Sequence, residues 1–273
     1  MQRHYSLAYL TAPTATAAQA IDVAAELGYS YVGLRPFPNG PGAPFQPMLD
    51  DAVALRETLA RMRDTGVRVF DIEIIRIGEG FDALAYAPAL ALGAEIGAKA
   101  VLIAADDTDE ARLAANYARL CEVAQPFGLT CDLEFMPWTA VKNAPAARRI
   151  VELAGQPENA GVLVDSLHFG RSASTLDDIA RLPRKWLHYA QISDAPAGIP
   201  ATDEALIRTA RCDRLLPGEG GIDLAGLFAV LPYDLPVSVE IPNEVRARAL
   251  GLKTWSAQAL AASRALIETG RPE

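Results

Sequence analysis

The feature that most constrains this chain is one repeated unit, a short apolar run of strand composition followed by a longer stretch with helical spacing, which recurs eight times in 273 residues. The strand-like runs are Tyr5 to Leu10, Tyr29 to Phe37, Val67 to Ile77, Lys99 to Ala104, a run after Gly128 that stops at Glu134, Gly161 to Asp165, Trp186 to Ser193, and Pro236 to Ile241. Helical spacing marks Thr14 to Gly28, Leu49 to Thr65, Ala83 to Ile96, Asp109 to Phe127, Asn143 to Ala154, Thr175 to Leu182, Leu224 to Leu231 and Arg246 to Glu268. Units spaced mostly about 25 to 38 residues apart predict an α/β fold of the (β/α)8 TIM-barrel type, in a single domain. The alternative is a doubly wound open sheet, whose first βα turn would receive a phosphate. No GxGxxG or GxxxxGK[ST] occurs to do so.

A hydrophobic content of 51% supplies the core such a barrel needs. The net charge of −9 disfavours nucleic acid as partner and leaves a small molecule as the expected substrate. Cys121, Cys131 and Cys212 form no CxxC pair and read as reduced packing residues, which favours a cytoplasmic protein. The N-terminal stretch lacks the apolar core of a signal peptide. No apolar run approaches the roughly 20 residues of a membrane span.

Four consecutive strand-like runs, the fifth to the eighth, end on oxygen-bearing side chains: Glu134, Asp165, Gln191 and Glu240. In a barrel of this kind the chemistry lies at the carboxyl ends of the strands, and the two-residue alternation lets all four point into one mouth. Three carboxylates crowded there would repel one another unless a divalent cation neutralises them. An all-oxygen set suits Mg²⁺ or Mn²⁺, with Co²⁺ or Zn²⁺ as alternatives.

The motifs LEF at 133–135, VDSLHF at 164–169, QISD at 191–194 and VEIPN at 239–243 resemble those of the xylose isomerase-like barrel family, over essentially residues 1–273. That family groups sugar isomerases and epimerases, inosose dehydratases, dehydroshikimate dehydratases and AP endonucleases. The resemblance implies a metal held by Glu134, Asp165, Gln191 and Glu240, a substrate-contacting His168, and a homodimer as a family-level expectation. It implies an isomerase or epimerase of sugars or sugar phosphates working through a metal-stabilised enediolate, with Glu134 and Glu240 as proton-transfer groups. A dehydratase of 3-dehydroshikimate type is the close rival, and a metal-dependent carbohydrate binder without catalysis is a third reading. Many epimerases of the family carry histidine at the position of Gln191, whereas the dehydroshikimate dehydratase branch has glutamine. Three histidines, His4, His168 and His188, are too few for the three-zinc cluster of the DNA-repair branch.

Arg35 stands where many family members carry glutamate, so an anionic group of the substrate is expected opposite that strand. Arg35, Arg171 and Arg214 are candidate anchors for a carboxylate or phosphate, against surface ion pairs as their ordinary fate. Glu73 shares a strand face with Asp71 and Ile75, and is read either as a site acid or as a paired barrel acid. Trp138 is read either as a wall of the pocket or as loop packing. The Pro36 to Pro47 loop is long enough to touch substrate. His188 is assigned to the outer face, Glu219 is a loop charge, and the glycines of PGEGG at 217–221 are turn formers or a lid hinge.

Overall fold

The computed structural model describes residues 3–40 and 42–269. Both chain ends, and Pro41 in the loop expected to touch substrate, lie outside the described residues. Eight parallel strands close in sequence order into one barrel: β1 (Tyr5–Leu7), β2 (Tyr31–Leu34), β3 (Arg68–Ile77), β4 (Ala100–Ala105), β5 (Thr130–Glu134), β6 (Ala160–Asp165), β7 (Ala190–Ile192) and β8 (Val237–Val239). Closure is made by β8 pairing with β1, Ser238 opposite Ser6.

The main surrounding helices are α1 (Ala17–Leu27), α2 (Ala52–Thr65), α3 (Ala87–Glu95), α4 (Glu110–Ala124), α5 (Ala144–Leu153), α6 (Ser166–Arg171), α7 (Leu176–Ala180), α8 (Asp203–Cys212), α9 (Leu224–Val230), α10 (Glu244–Leu250) and α11 (Leu252–Thr269). Local chemistry sets their ends. Thr16 and Gln19 form a reciprocal capping box at α1, and Gly28 stops that helix in the left-handed region at φ 80°. The expected helix from Ala83 divides into a 3-10 turn, Ala83–Tyr86, and α3, because Pro88 lacks an N–H and is tolerated only in a first turn. The last expected helix likewise divides at Gly251, whose φ of 76° belongs to neither α10 nor α11.

Two cores result. The larger lies between strands and helices, and the smaller fills the barrel with Phe70, Ile74, Leu102, Met136, Leu163 and Tyr189. On β3, Ile72 packs outward so tightly that a Cβ on Gly93 would lie 2.8 Å from it, which leaves Asp71 and Glu73 facing inward. Ile75 does not share their face as expected. The β3–β4 register slips between Ile72 and Ile75, so Ile74 joins the inner core and Ile75 the outer one.

His188 also departs from its expected outer position. It precedes the three residues of β7, so strand parity does not govern it, and its Nδ1 lies 2.7 Å from Oδ1 of the inward-facing Asp132. Gly161 makes room for this pair, since a Cβ there would meet Asp132 at 2.2 Å and His188 at 2.5 Å. Burial works to lower the His188 pKa, but the hydrogen bond and charge of Asp132 outweigh it, and the value is raised. A raised folded-state value gives stability that is complete below the unfolded-state pKa of about 6.5 and is lost as pH rises through the folded value. The stability difference between wild type and His188→Gln in urea titrations is therefore expected to be largest below about pH 6.5 and to shrink in more alkaline buffer. A difference that grows with pH would contradict this assignment.

Candidate active site

The strand ends converge as the alternation requires. Glu134 closes β5, Asp165 closes β6, Gln191 lies within β7 and Glu240 directly follows β8. All four are buried, at 3%, 0%, 0% and 3% exposure. Asp165 also caps the short helix α6, accepting from the Leu167 N–H at 2.6 Å. That helix, absent from the sequence reading, turns His168 back over the site. His168 Nε2 lies 3.5 Å from Glu134 Oε1 and 3.9 Å from Asp165 Oδ2. Trp138 stands edge-on to the imidazole with ring centroids 5.0 Å apart, so it walls the cleft as well as packing the loop.

Arg214 is the main correction to the expected roles. Rather than waiting for a substrate anion, its guanidinium lies among the carboxylates. One nitrogen donates to Asp165 Oδ2 at 2.6 Å, the other reaches Glu240 Oε2 at 2.7 Å, and Nε donates to the Ala210 carbonyl at 2.9 Å. It arrives from the long β7–α9 connection, where Leu215 is bridged to Asp194. Arg171 is displaced from the site altogether. Its guanidinium donates to the carbonyls of Pro196, at 2.7 Å, and Gly198, fastening that same connection. Arg35 lines the cleft but is engaged with Glu73 at 2.6 Å and lies over the Tyr9 ring at 4.3 Å. Glu73 is thus a paired acid at the cleft wall.

The glycine-rich PGEGG segment is held rather than hinged. Asp194 accepts from the backbone N–H groups of Gly218 and Gly220, both at 3.0 Å, and of Ile222 at 3.2 Å. Gly218 turns the chain at φ 91°, and Glu219 pairs with Arg246 at 2.5 Å as a loop charge. Arg76 and Arg211 also line the cleft, and the sequence reading passed over both. Arg76 could have been found from its place near the end of β3. Arg211 sits on α8, outside the repeating unit, and carries no such signal.

The electrostatics follow from this crowding. Burial, then Asp165, then Glu240 drive the Glu134 carboxyl well above its usual range, with Arg214 opposing. Burial also raises Glu240, against the pull of Arg214. Asp165 ends below its usual range because Arg214, His168 and the Leu167 N–H together exceed its burial. Burial holds the His168 ring down at about 4, so it is neutral near physiological pH.

The donor set fits a divalent ion. Arg214 reaches Asp165 and Glu240 but makes no contact with Glu134, whose Oε1 is buried without a partner. Gln191 donates through Nε2 to Glu240 Oε1 at 2.9 Å, which leaves its own Oε1 buried and unpartnered. Among the described residues, Glu134, Asp165 and His168 also present ligand atoms within 4.8 Å of one another. Unpaired oxygens in so enclosed a place are costly without a cation or proton.

The sequence pattern of xylose isomerase-like TIM barrels matches residues 21–266. The chain belongs to this family. Among xylose isomerase-like relatives, the 3-dehydroshikimate dehydratase of Pseudomonas aeruginosa is 32% identical over 209 residues, covering 73% of this chain and 29% of that protein. The inosose isomerase of Bacillus velezensis is 32% identical over 130 residues, covering 45% of this chain and 43% of the isomerase. The chain therefore spans less than half the length of these relatives. Among solved structures, the IOLI protein with a binding zinc atom superposes with a TM-score of 0.82 at 18% identity, over 99% of this chain and 100% of that one. D-allulose 3-epimerase from Methylomonas sp. gives 0.68 at 16% identity, over 97% of both chains. These superpositions bear on the fold, which the family shares. No helix among the described residues is long and apolar enough to cross a membrane.

Removing Arg214 leaves Asp165 and Glu240 buried without their cation. Arg214→Met is expected to destabilise the metal-free protein by about 3–5 kcal/mol, and added Mn²⁺ should restore part of the loss. Chemical unfolding with and without Mn²⁺ checks both halves.

Proposed function

We propose that this chain is a divalent-metal-dependent enzyme that removes a proton beside the carbonyl of a polyhydroxy substrate, and that the outcome is loss of water, as in a dehydratase of 3-dehydroshikimate type. The observation that carries the choice is the unequal state of the two glutamates. Both oxygens of Glu240 are engaged, one by Arg214 and one by Gln191, whereas Glu134 keeps Oε1 without a partner beside a neutral His168. One free base with an adjacent imidazole suits elimination on one face better than exchange between two bases on opposite faces. The glutamine at 191 and the dehydratase relative support the same reading.

Glu134, Asp165, Gln191 and Glu240 would hold the ion. When bound, it would supply Lewis-acid polarisation of the substrate carbonyl and the positive charge that keeps Glu134 ionised against the burial and like charges that raise it. Glu134 Oε1 takes the proton from the carbon next to the carbonyl. The proton crosses to His168 Nε2, 3.5 Å away, and the imidazolium delivers it to the departing hydroxyl, which leaves as water. Both residues return to their starting states. Trp138 holds the imidazole ring and shields that face of the cleft from solvent.

An isomerase or epimerase is the second reading. It is favoured by Glu134 and Glu240 standing at the ends of separated strands, and by the inosose isomerase relative.

With Mn²⁺ or Mg²⁺ and 3-dehydroshikimate, the protein is expected to generate the ultraviolet signal of a catechol, and Glu134→Gln should lower the rate by about 10²-fold or more. Deuterium entering ketoses in D₂O without catechol formation would move the chain to the isomerase or epimerase reading. Silence in both assays, with substrate still bound, would leave a carbohydrate binder.

A further inference from the structure

Four arginines line the cleft, and three of them are ion-paired within the protein. Arg35 is held by Glu73, Arg214 by Asp165 and Glu240, and Arg76 by a two-pronged contact with Asp106 at 2.7 and 2.6 Å. Arg211 alone among them has no hydrogen bond or ion pair among the described residues, and it is solvent-exposed at the rim. Its placement is nevertheless fixed. Ala210, the preceding residue, is buried against Leu167 and Ala195 with Trp138 beside them, and the Ala210 carbonyl accepts from Arg214. The last turn of α8 is thereby fixed against Leu167 and Ala195, and Arg211 lines the cleft from there.

We infer that Arg211 is the residue that selects a carboxylate-bearing substrate, by pairing with the carboxylate on the end of the molecule remote from Glu134 and His168. A planar guanidinium offers a carboxylate two parallel hydrogen bonds. The anion expected opposite Arg35 finds that residue already paired with Glu73, whereas Arg211 has no such partner among the described residues. The ordinary alternative is that Arg211, in the last turn of α8, serves only the C-terminal carbonyls of its helix. A capping role would be read in stability and would be indifferent to the ligand.

The inference rests on the proposed metal-dependent reading of the cleft, and its test does not depend on turnover. Binding of 3,4-dihydroxybenzoate and of catechol, which differ only in the carboxylate, is measured by calorimetry on the Mn²⁺-loaded protein. Wild type is expected to prefer the carboxylate compound by about 10-fold or more, with the preference falling as salt is raised. Arg211→Gln should abolish the preference while leaving catechol affinity and the thermal midpoint unchanged, and Arg211→Lys should restore it in part. If dehydration is absent yet the preference vanishes in Arg211→Gln, the reaction assignment falls and the role of Arg211 stands. If Arg211→Gln keeps the wild-type preference, or loses stability without changing it, the inference is overturned whatever the enzyme turns over.

Discussion

The structure depends on one buried cation among carboxylates. Strand alternation and barrel closure bring Glu134, Asp165 and Glu240 to a single mouth, where their charges would drive the strand ends apart. Arg214 relieves two of the three, and it reaches them only because the β7–α9 connection folds back over the mouth. The connection is therefore part of the barrel's electrostatic closure as well as its decoration. The relief is incomplete by design of the geometry. Glu134 remains without a countercharge of its own, and that residue of unsatisfied charge is the part of the cluster open to an exogenous cation.

Chemistry and stability are coupled through the same atoms. Glu240 is held on both oxygens, while Glu134 keeps Oε1 without a partner. The neutral Gln191 contributes here in a way histidine would not. Its amide spans two functions, donating to Glu240 on one side and leaving a carbonyl oxygen free on the other. It adds an oxygen to a crowded site without adding another titrating group.

The sequence was informative wherever a residue's position followed from the repeating unit. Glu134, Asp165, Gln191 and Glu240 were legible because a strand's end and its parity together decide where a side chain points. Trp138 was legible through its distance from Glu134. Periodicity failed where the chain leaves the unit. Arg171 and Arg214 were candidates for an anion site or for ion pairs, and which loop carbonyls or carboxylates would claim each guanidinium depends on contacts between segments far apart in sequence. His188 lay just outside a strand shorter than the apolar run suggested, so parity was applied to a residue it does not govern. The slip on β3 misled in the same way for Ile75.

The fastening of the β7–α9 connection has an evolutionary side. Asp194 grips the backbone of Gly218, Gly220 and Ile222, and Asp194 and Leu215 exchange main-chain hydrogen bonds, so both feet of the excursion are tied together at one point. What lies between, including α8, behaves as a cassette on a closed base. It is held again where Arg171 meets the carbonyls of Pro196 and Gly198, and where Ala210 packs on Leu167 and passes its carbonyl to Arg214. Between those holds, residues 196–199 and 201–205 are exposed, so drift there is the change that costs the barrel least.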